Sequence, residues 1–587
     1  MSTIQEILSQ FNDAANAKLN EEQIRSALNN LKPNHTGQDL EHLDMEIMAF
    51  GFDEDQHDSP WNTYFGPLVT YGNNDGTVFE WPSIKSVDLN TITYWEKRAD
   101  EVLNPFLKAR YLGVVWEFKK KVIGVDPNHD ICRQYIDALL EVANRDLSLY
   151  EYDGSVKAKR ALALAVSLND KILKEKCKTC IIAFEERHAI DDKPGLWGYS
   201  FDLLLGNRKI ELTPSEEKKI IADLEAKLCR LSEGTDDRKI DPWSAEQAAE
   251  RLATYYRRKN KTEDMKRVIM IVGEAYSKIE SSGSAMQVSG WLEDLRQLYI
   301  RYNLNDQAHE VLLKIRELGP KVASEMGTIS HQFQISKEKR DYIVAAMTSG
   351  SKEEILNKII AQYIPDLDET QQRVFELSKK APIAYLMSTQ LHDDQGRMIA
   401  RIGSLKDDLD GHVVRQLSED LYITAISLRL VLNGAIQEKG LIAPDILQFI
   451  RRSPVIDSDR IEIIEAAINA YFRRDFLVFI HLVIPQIEEG IRNIVEYAGG
   501  NVLKPQRDGS GFHLRTFDDL LRDSIIKQAL GDDLTNYFRV VFTDQRGWNL
   551  RNKVCHGLAD PNVFSQQTAD RVLHTLLCLG TLRKKTE

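Results

Sequence analysis

Apolar residues recur at three- and four-residue steps along most of this chain, with charged residues between them. Segments 216–231, 245–256, 262–279 and 307–318 follow the spacing closely, which puts their apolar side chains on one face of a helix. Turn signals separate them: Ser232-Glu233-Gly234, Ser281-Ser282-Gly283, Gly319-Pro320 and Ser349-Gly350-Ser351. Helix pairs of roughly 30–45 residues in series predict an α-solenoid-like body, although no strict repeat signature is present. The expected class is all-α, with a solenoid-like N-terminal body followed by a C-terminal helical bundle.

Two segments break the helical spacing. Residues 51–90 are aromatic, rich in Gly, Asn and Pro, and poorly periodic. They read as an ordered irregular segment with a short hairpin, whose simplest role is to cover an end of the solenoid. Residues 393–406 carry a turn at Asp394-Gln395-Gly396 followed by alternating apolar positions, the pattern of a hairpin inserted between helices. The expected organisation is an N-terminal helical module over 1–190, a helical-hairpin region over 191–380, a connecting helical region over 381–460 and a C-terminal domain over 461–587. Within that last block, helices are predicted at 461–479 and 476–497, with Pro485 kinking or restarting the second. A Gly-rich loop is expected from Gly499 to Gly511. Further helices are expected near 517–528, 533–543, 545–558 and 566–582.

Composition narrows the class. The 587 residues exceed what one hydrophobic core supports. A 43% apolar and 28% charged chain is ordinary for a globular protein. No run of 18 or more apolar residues exists, so no transmembrane helix is expected. The first residues have neither a basic start nor an apolar stretch, so no secretory signal is expected. Six scattered cysteines fit reduced thiols in a cytoplasm. The net charge of −13 is unevenly spread: from Tyr471 onward 16 Lys and Arg face 14 Asp and Glu, which leaves −15 for the first 470 residues. Such a chain lacks the broad basic surface of a duplex-binding protein, so any RNA contact should be confined to a cleft.

The candidate chemistry lies near the end, in Leu550-Arg551-Asn552-Lys553-Val554-Cys555-His556-Gly557-Leu558. RNA carries its own nucleophile, the 2′-hydroxyl. Cleavage requires removal of that proton, protonation of the leaving 5′-oxygen and stabilisation of charge on phosphorus. Histidine suits the proton steps because it titrates near neutral pH. Arginine suits the charge because its planar fork holds two phosphate oxygens. Asn552 beside the arginine is placed to hold the phosphate or the histidine. Arg followed by His after five to seven residues occurs at Arg474…His481, Arg507…His513 and Arg551…His556, and composition alone gives about two such spacings. Context separates them: Arg507 and His513 sit in the Gly-rich loop, and Arg474 and His481 read as a snorkelling arginine and a core-edge histidine on one helix. Only Arg551 has an adjacent asparagine and a glycine after the histidine. Five residues turn a helix by about 500°, which leaves Arg551 and His556 roughly 140° apart. A site completed by a second copy across a two-fold axis, or by a neighbouring helix, resolves that angle.

This segment resembles the RNxxxHG signature of a domain family of unknown function, which in turn is similar to the HEPN superfamily (higher eukaryotes and prokaryotes nucleotide-binding). The upstream helix Pro485-Gln486-Ile487-Glu488-Glu489-Gly490-Ile491-Arg492 is similar to that family's Pro-x-Ile-Glu-x-x-x-Arg helix. The resemblance covers residues 465–582. Tyr94-Trp95, Asn104 to Tyr111 and Trp116 resemble a helical module found in front of such domains. The resemblance implies a HEPN-like bundle and a metal-independent endoribonuclease with no cofactor. In it His556 serves the proton or orients the 2′-hydroxyl, Arg551 binds the scissile phosphate and Asn552 positions both. Glu488 and Arg492 support them, or form a plain ion pair four residues apart. Lys553 touches the RNA backbone or is simply solvated. The resemblance further implies an RNA substrate, a homodimer through the C-terminal domain, a protein or phage trigger on the N-terminal body, and an anti-phage or toxin role. The alternative is a non-catalytic helical scaffold that dimerises or binds RNA.

Other signals carry less. Cys177-Lys178-Thr179-Cys180 lacks the second pair a zinc site needs, so both cysteines are expected in a helical core. Cys555 is expected as a small apolar filler. Neither GxxxxGK[ST] nor a strand-linked GxGxxG occurs, so nothing supports nucleotide binding. Asp407-Asp408 and Asp532-Asp533 are expected to cap helices rather than hold metal.

Overall fold

In the computed structural model, residues 4–13, 17–34, 36–72, 78–234, 239–327, 335–506 and 509–584 are described. Helices dominate them, and their strands form only two-stranded antiparallel pairs. The expected all-α class holds. The chain divides into two compact units, residues 1–315 and 316–587, with the division falling inside the helix Asn305–Glu325.

In the first unit the periodic segments form Pro214–Glu233, Pro242–Arg258 and Thr262–Ile279. Their starts follow from the local chemistry. Thr213 and Glu216 form a reciprocal capping box ahead of Pro214, and Asp241 accepts from the Ser244 backbone ahead of Pro242. A capping side chain satisfies an orphan N–H, and proline at the first helical position loses a hydrogen bond that no residue could make there. Cys177 and Cys180 are buried on the helix Lys171–His188, where burial pushes their thiols up to about 12 and about 11. They are core residues, as the lone pair of cysteines suggested.

Segment 51–90 is more regular than its composition implies. Asp53–His57 pairs with Thr63–Gly66, and Val69–Gly72 pairs with Val78–Trp81. Tyr71 stacks on Phe79 across the second hairpin at 4.7 Å between ring centroids. Polar contacts tie the segment to the helix Pro105–Ile123. Arg110, 2% exposed, donates to the Ala49 carbonyl at 2.5 Å and to the Phe52 carbonyl. Nearby, fully buried Glu46 accepts from Arg98 Nε and from the Tyr94 hydroxyl, each at 2.8 Å, and from the Tyr111 hydroxyl.

In the second unit the expected hairpin is present as Thr389–His392 paired with Met398–Ile402 around the turn after Asp393. The 31-residue helix Leu409–Lys439 follows, started by Asp408, whose carboxylate accepts from the Gly411 backbone at 2.9 Å. One apolar core runs from Ile355 to Leu579, so residues 461–587 share it with the helices before them.

Several boundaries in the C-terminal block differ from the sequence reading. The first helix stops at Phe472 because Arg474 adopts a left-handed φ of 63°. Phe476–Tyr497 runs unbroken through Pro485. The Gly-rich stretch is not a plain loop, since Leu503–Pro505 pairs with Phe512–Leu514. As expected, a separate helix starts at Asp532 and Asp533: Gly531 (φ 76°) is non-helical and divides Ser524–Phe542 in two, although the first part starts only at Ser524. The expected helix over 545–558 shrinks to Leu550–Cys555, because residues 543–549 are held in another shape by side chains distant in sequence.

Candidate functional site

The short helix Leu550–Cys555 is presented by an anchored loop. Asp544, buried, accepts from Arg546 at its backbone nitrogen, its Nε and its terminal nitrogen, at 3.0, 3.0 and 2.9 Å, and forms an ion pair with Arg539, whose Nε lies 3.2 Å away. Asp410 from the long helix joins both arginines at 2.6 Å. The Trp548 ring packs at a tilt against Tyr422, 4.6 Å between centroids, its ring N–H donates to the Ser418 carbonyl at 3.4 Å and its backbone N–H to the Val540 carbonyl at 2.8 Å. Asn549 (φ 52°) then turns the chain, and its side-chain oxygen accepts from Asn552 Nδ2 at 2.7 Å. Leu550 and Val554, one turn apart, are buried and fasten the helix to the core. Gly557, at φ 68°, ends it, directly after His556.

Arg551 lies on the partly exposed side, 24% exposed. Its Nε donates to Glu488 Oε2 at 2.9 Å, and a terminal nitrogen reaches Glu488 Oε1 at 3.5 Å. Its other terminal nitrogen reaches Asn552 Oδ1 at 3.4 Å. Glu488 also accepts from Arg492 at 3.2 Å, and Arg492 pairs with Glu489. The ion pair expected between Glu488 and Arg492 exists, and it extends to Arg551, 63 residues away. Glu488 fixes the plane of the guanidinium and leaves the edge beside Asn552 only weakly engaged.

His556 stands apart from this network. It is exposed, and no side-chain hydrogen bond to it is formed among the described residues. Lys553 is half-buried without an ion pair among those residues. Arg551, Asn552, Glu488 and Arg492 are thus brought into one hydrogen-bonded group, whereas His556 and Lys553 are not joined to it. Cys555 is exposed rather than a filler. Partial burial pushes its thiol up, with Arg551 opposing and Glu488 adding, so it is a poor thiolate at neutral pH. The rival pairs differ in setting. His481 Nδ1 donates to the Leu477 carbonyl (2.8 Å) and the ring stacks on Phe564, while Arg474 donates to Gln566 at 3.0 Å. Arg507 lies outside the described residues.

A buried polar group went unforeseen. On Gln566–Gly580 every residue from Thr568 to Gly580 is buried, including Asp570, Arg571 and His574. Asp570 accepts from the Tyr471 hydroxyl at 2.6 Å and faces Arg429 at 3.6 Å, and burial pushes its carboxyl up to about 6. Arg571 donates to the Leu421 carbonyl at 3.0 Å and to the Thr424 hydroxyl at 2.9 Å. His574 pairs with the Tyr537 hydroxyl at 2.9 Å. Burial, with Arg571 adding, pushes it down to about 3, so it is neutral. Helical periodicity alone reads this stretch as one-sided. The sign that it is enclosed all round is the apolar run on neighbouring helices such as Phe476–Tyr497, which needs a partner of its own.

No protein-family model matches this chain, and no curated protein and no solved structure matches it.

Proposed function

We propose that this protein is a metal-independent endoribonuclease whose working groups are Arg551, Asn552 and His556. In this reading the 2′-hydroxyl attacks phosphorus and gives its proton to a base, with His556 as the candidate. The P–O5′ bond breaks, and the 5′-oxygen takes a proton. Arg551 neutralises charge on the non-bridging oxygens, and Asn552 holds the guanidinium edge. The observation that carries the reading is the Arg551–Glu488 pair: an arginine fixed in orientation by a carboxylate on another helix, yet still 24% exposed, on a short helix that an exposed histidine, His556, caps at its C-terminal end. Fixed orientation with solvent access is what a phosphate-binding arginine needs.

The angle between Arg551 and His556 makes a two-fold dimer, with each phosphate shared between copies, part of the proposal. The protein is proposed as a cytoplasmic anti-phage or toxin-type effector, with a protein or phage trigger acting on the first unit. Among the described residues no helix is long and apolar enough to cross a membrane. The test is cleavage of mixed RNA by the full chain in EDTA. Products ending in 2′,3′-cyclic phosphate and 5′-hydroxyl are expected, and Arg551→Ala or His556→Ala should remove them. A strict Mg²⁺ requirement, or cleavage that survives both substitutions, overturns the proposal.

A second reading rests on the same ion pair. If Glu488 and Arg551 serve only to bind two helices together, the C-terminal bundle is a scaffold, and both substitutions leave every RNA phenotype unchanged.

A further inference from the structure

The first unit contains a cleft of ≈ 320 Å³ between the first hairpin, the start of the helix Glu21–Asn29 and the start of the helix Glu151–Ser167. Five carboxylates line it, those of Glu21, Glu22, Asp53, Glu54 and Asp153, against three cations, Arg25, Arg110 and Lys157. All three cations are committed. Lys157 Nζ holds Glu21 at 3.0 Å and also Glu54. Arg110 is spent on two backbone carbonyls and on Glu54 at 3.4 Å. Arg25 pairs with Glu22 and lies over the Trp81 ring at 5.6 Å.

The carboxylates are not all answered. Glu54 Oε1 is buried without a hydrogen-bond partner. Asp153 has no ion pair or side-chain hydrogen bond among the described residues. Burial pushes its carboxyl up, with Glu21 and Glu54 adding and Lys157 opposing. An anion entering the cleft would have to displace a carboxylate from Lys157 or Arg110. A metal ion finds no ligand set, since no three His, Cys, Asp or Glu side chains converge suitably among the described residues. The rim is apolar and aromatic: Tyr152 is 59% and Leu68 44% exposed.

We infer that this cleft binds an alkyl guanidinium or alkyl ammonium group, with the charge against Asp153 and Glu54 and the alkyl stem against Tyr152 and Leu68. An organic cation gives directed N–H donors to Asp153 and to the unpartnered Oε1 of Glu54, whose Oε2 is already held by Lys157 and Arg110, and the exposed aromatic ring adds a cation–π face. The group can arrive on a free small amine or on an arginine or lysine side chain of another protein, and the two sources are separable.

The experiment is calorimetric titration of the full chain with agmatine, with 1,4-diaminobutane and with a blocked arginine tripeptide. Saturable binding of at least one is expected. Binding of the free amines assigns a small-molecule source, and binding of the peptide alone assigns a protein side chain. Asp153→Asn should weaken binding about tenfold or more, as loss of a charge-assisted contact does. It should leave the melting temperature unchanged or raised, because that carboxylate has no partner to lose. Tyr152→Ala should weaken binding about threefold. Glu263→Gln, which removes a charge that is 89% exposed elsewhere, should leave binding unchanged. Absence of saturable binding by all three probes, or equal binding by wild type and Asp153→Asn, overturns the inference.

Discussion

Arg551 Nε donates to Glu488 Oε2 at 2.9 Å, joining the six-residue helix Leu550–Cys555 to the helix Phe476–Tyr497. The two side chains are 24% and 13% exposed, and Glu488 is shared with Arg492. Glu488→Gln keeps the shape and removes the charge. It is expected to cost about 1–2 kcal/mol in stability, between the values of exposed and buried pairs. It is also expected to slow RNA cleavage about tenfold through looser aim of the guanidinium. A double-mutant cycle with Arg551→Ala reads this directly. Fully additive effects on stability would show that the pair does not couple the two helices.

Arg546 bridges buried Asp544 and the Asp410 carboxylate of the long helix. Arg546→Ala leaves Asp544, 4% exposed, with Arg539 as its remaining cation. A loss of about 2–3 kcal/mol in urea unfolding is expected, because a buried charge loses most of its hydrogen bonds. Wild-type stability in this variant would mean that the loop is held by Trp548 alone.

Asp570 and His574 give opposite pH dependences. Asp570 has its folded pKa raised to about 6 from 3.8, so its contribution is full below about pH 4 and is lost as pH rises to about 6. His574 has its folded pKa lowered to about 3 from 6.5, so its contribution is full above about pH 6.5 and is lost as pH falls. Between pH 4 and 6 the two slopes oppose each other, each spanning about 3 kcal/mol. Relative to wild type, His574→Gln should therefore lose stability as pH rises through that window, and Asp570→Asn should gain it. Denaturant midpoints measured from pH 4 to 7 decide the matter. Profiles parallel to wild type would show that neither group titrates abnormally.

Gly557 closes the site helix at φ 68°, and a Cβ there meets nothing within 4 Å. Gly557→Ala is thus strained by backbone conformation rather than by collision. It should cost about 1 kcal/mol, seen as a small fall in melting temperature with an unchanged fold by circular dichroism. By contrast, a Cβ on Gly113 comes to 2.8 Å from Phe65 and 2.9 Å from Tyr135. Gly113→Ala should therefore destabilise by more, about 2 kcal/mol.

The sequence by itself determined the elements whose causes are local. Thr213-Pro214 and Asp241-Pro242 start helices wherever they stand before a periodic run, because capping and proline geometry act within four residues. The hairpin after Thr389 and the cap at Asp408 were legible for the same reason. Arg551, Asn552 and His556 were picked out by residue type, spacing and local context, and Glu488 and Arg492 by the resemblance, but how they pack together was not legible. Only the tertiary structure decided that Glu488 holds Arg551 while His556 stands free, and that 543–549 is a braced loop rather than helix. It alone placed Asp570, Arg571 and His574 in a sealed core, and Asp153 in one cleft with a Glu54 whose Oε1 has no hydrogen-bond partner. Each of those facts depends on side chains tens to hundreds of residues apart. The strength of a charge or a hydrogen bond is set by what surrounds it, and a linear pattern does not record that.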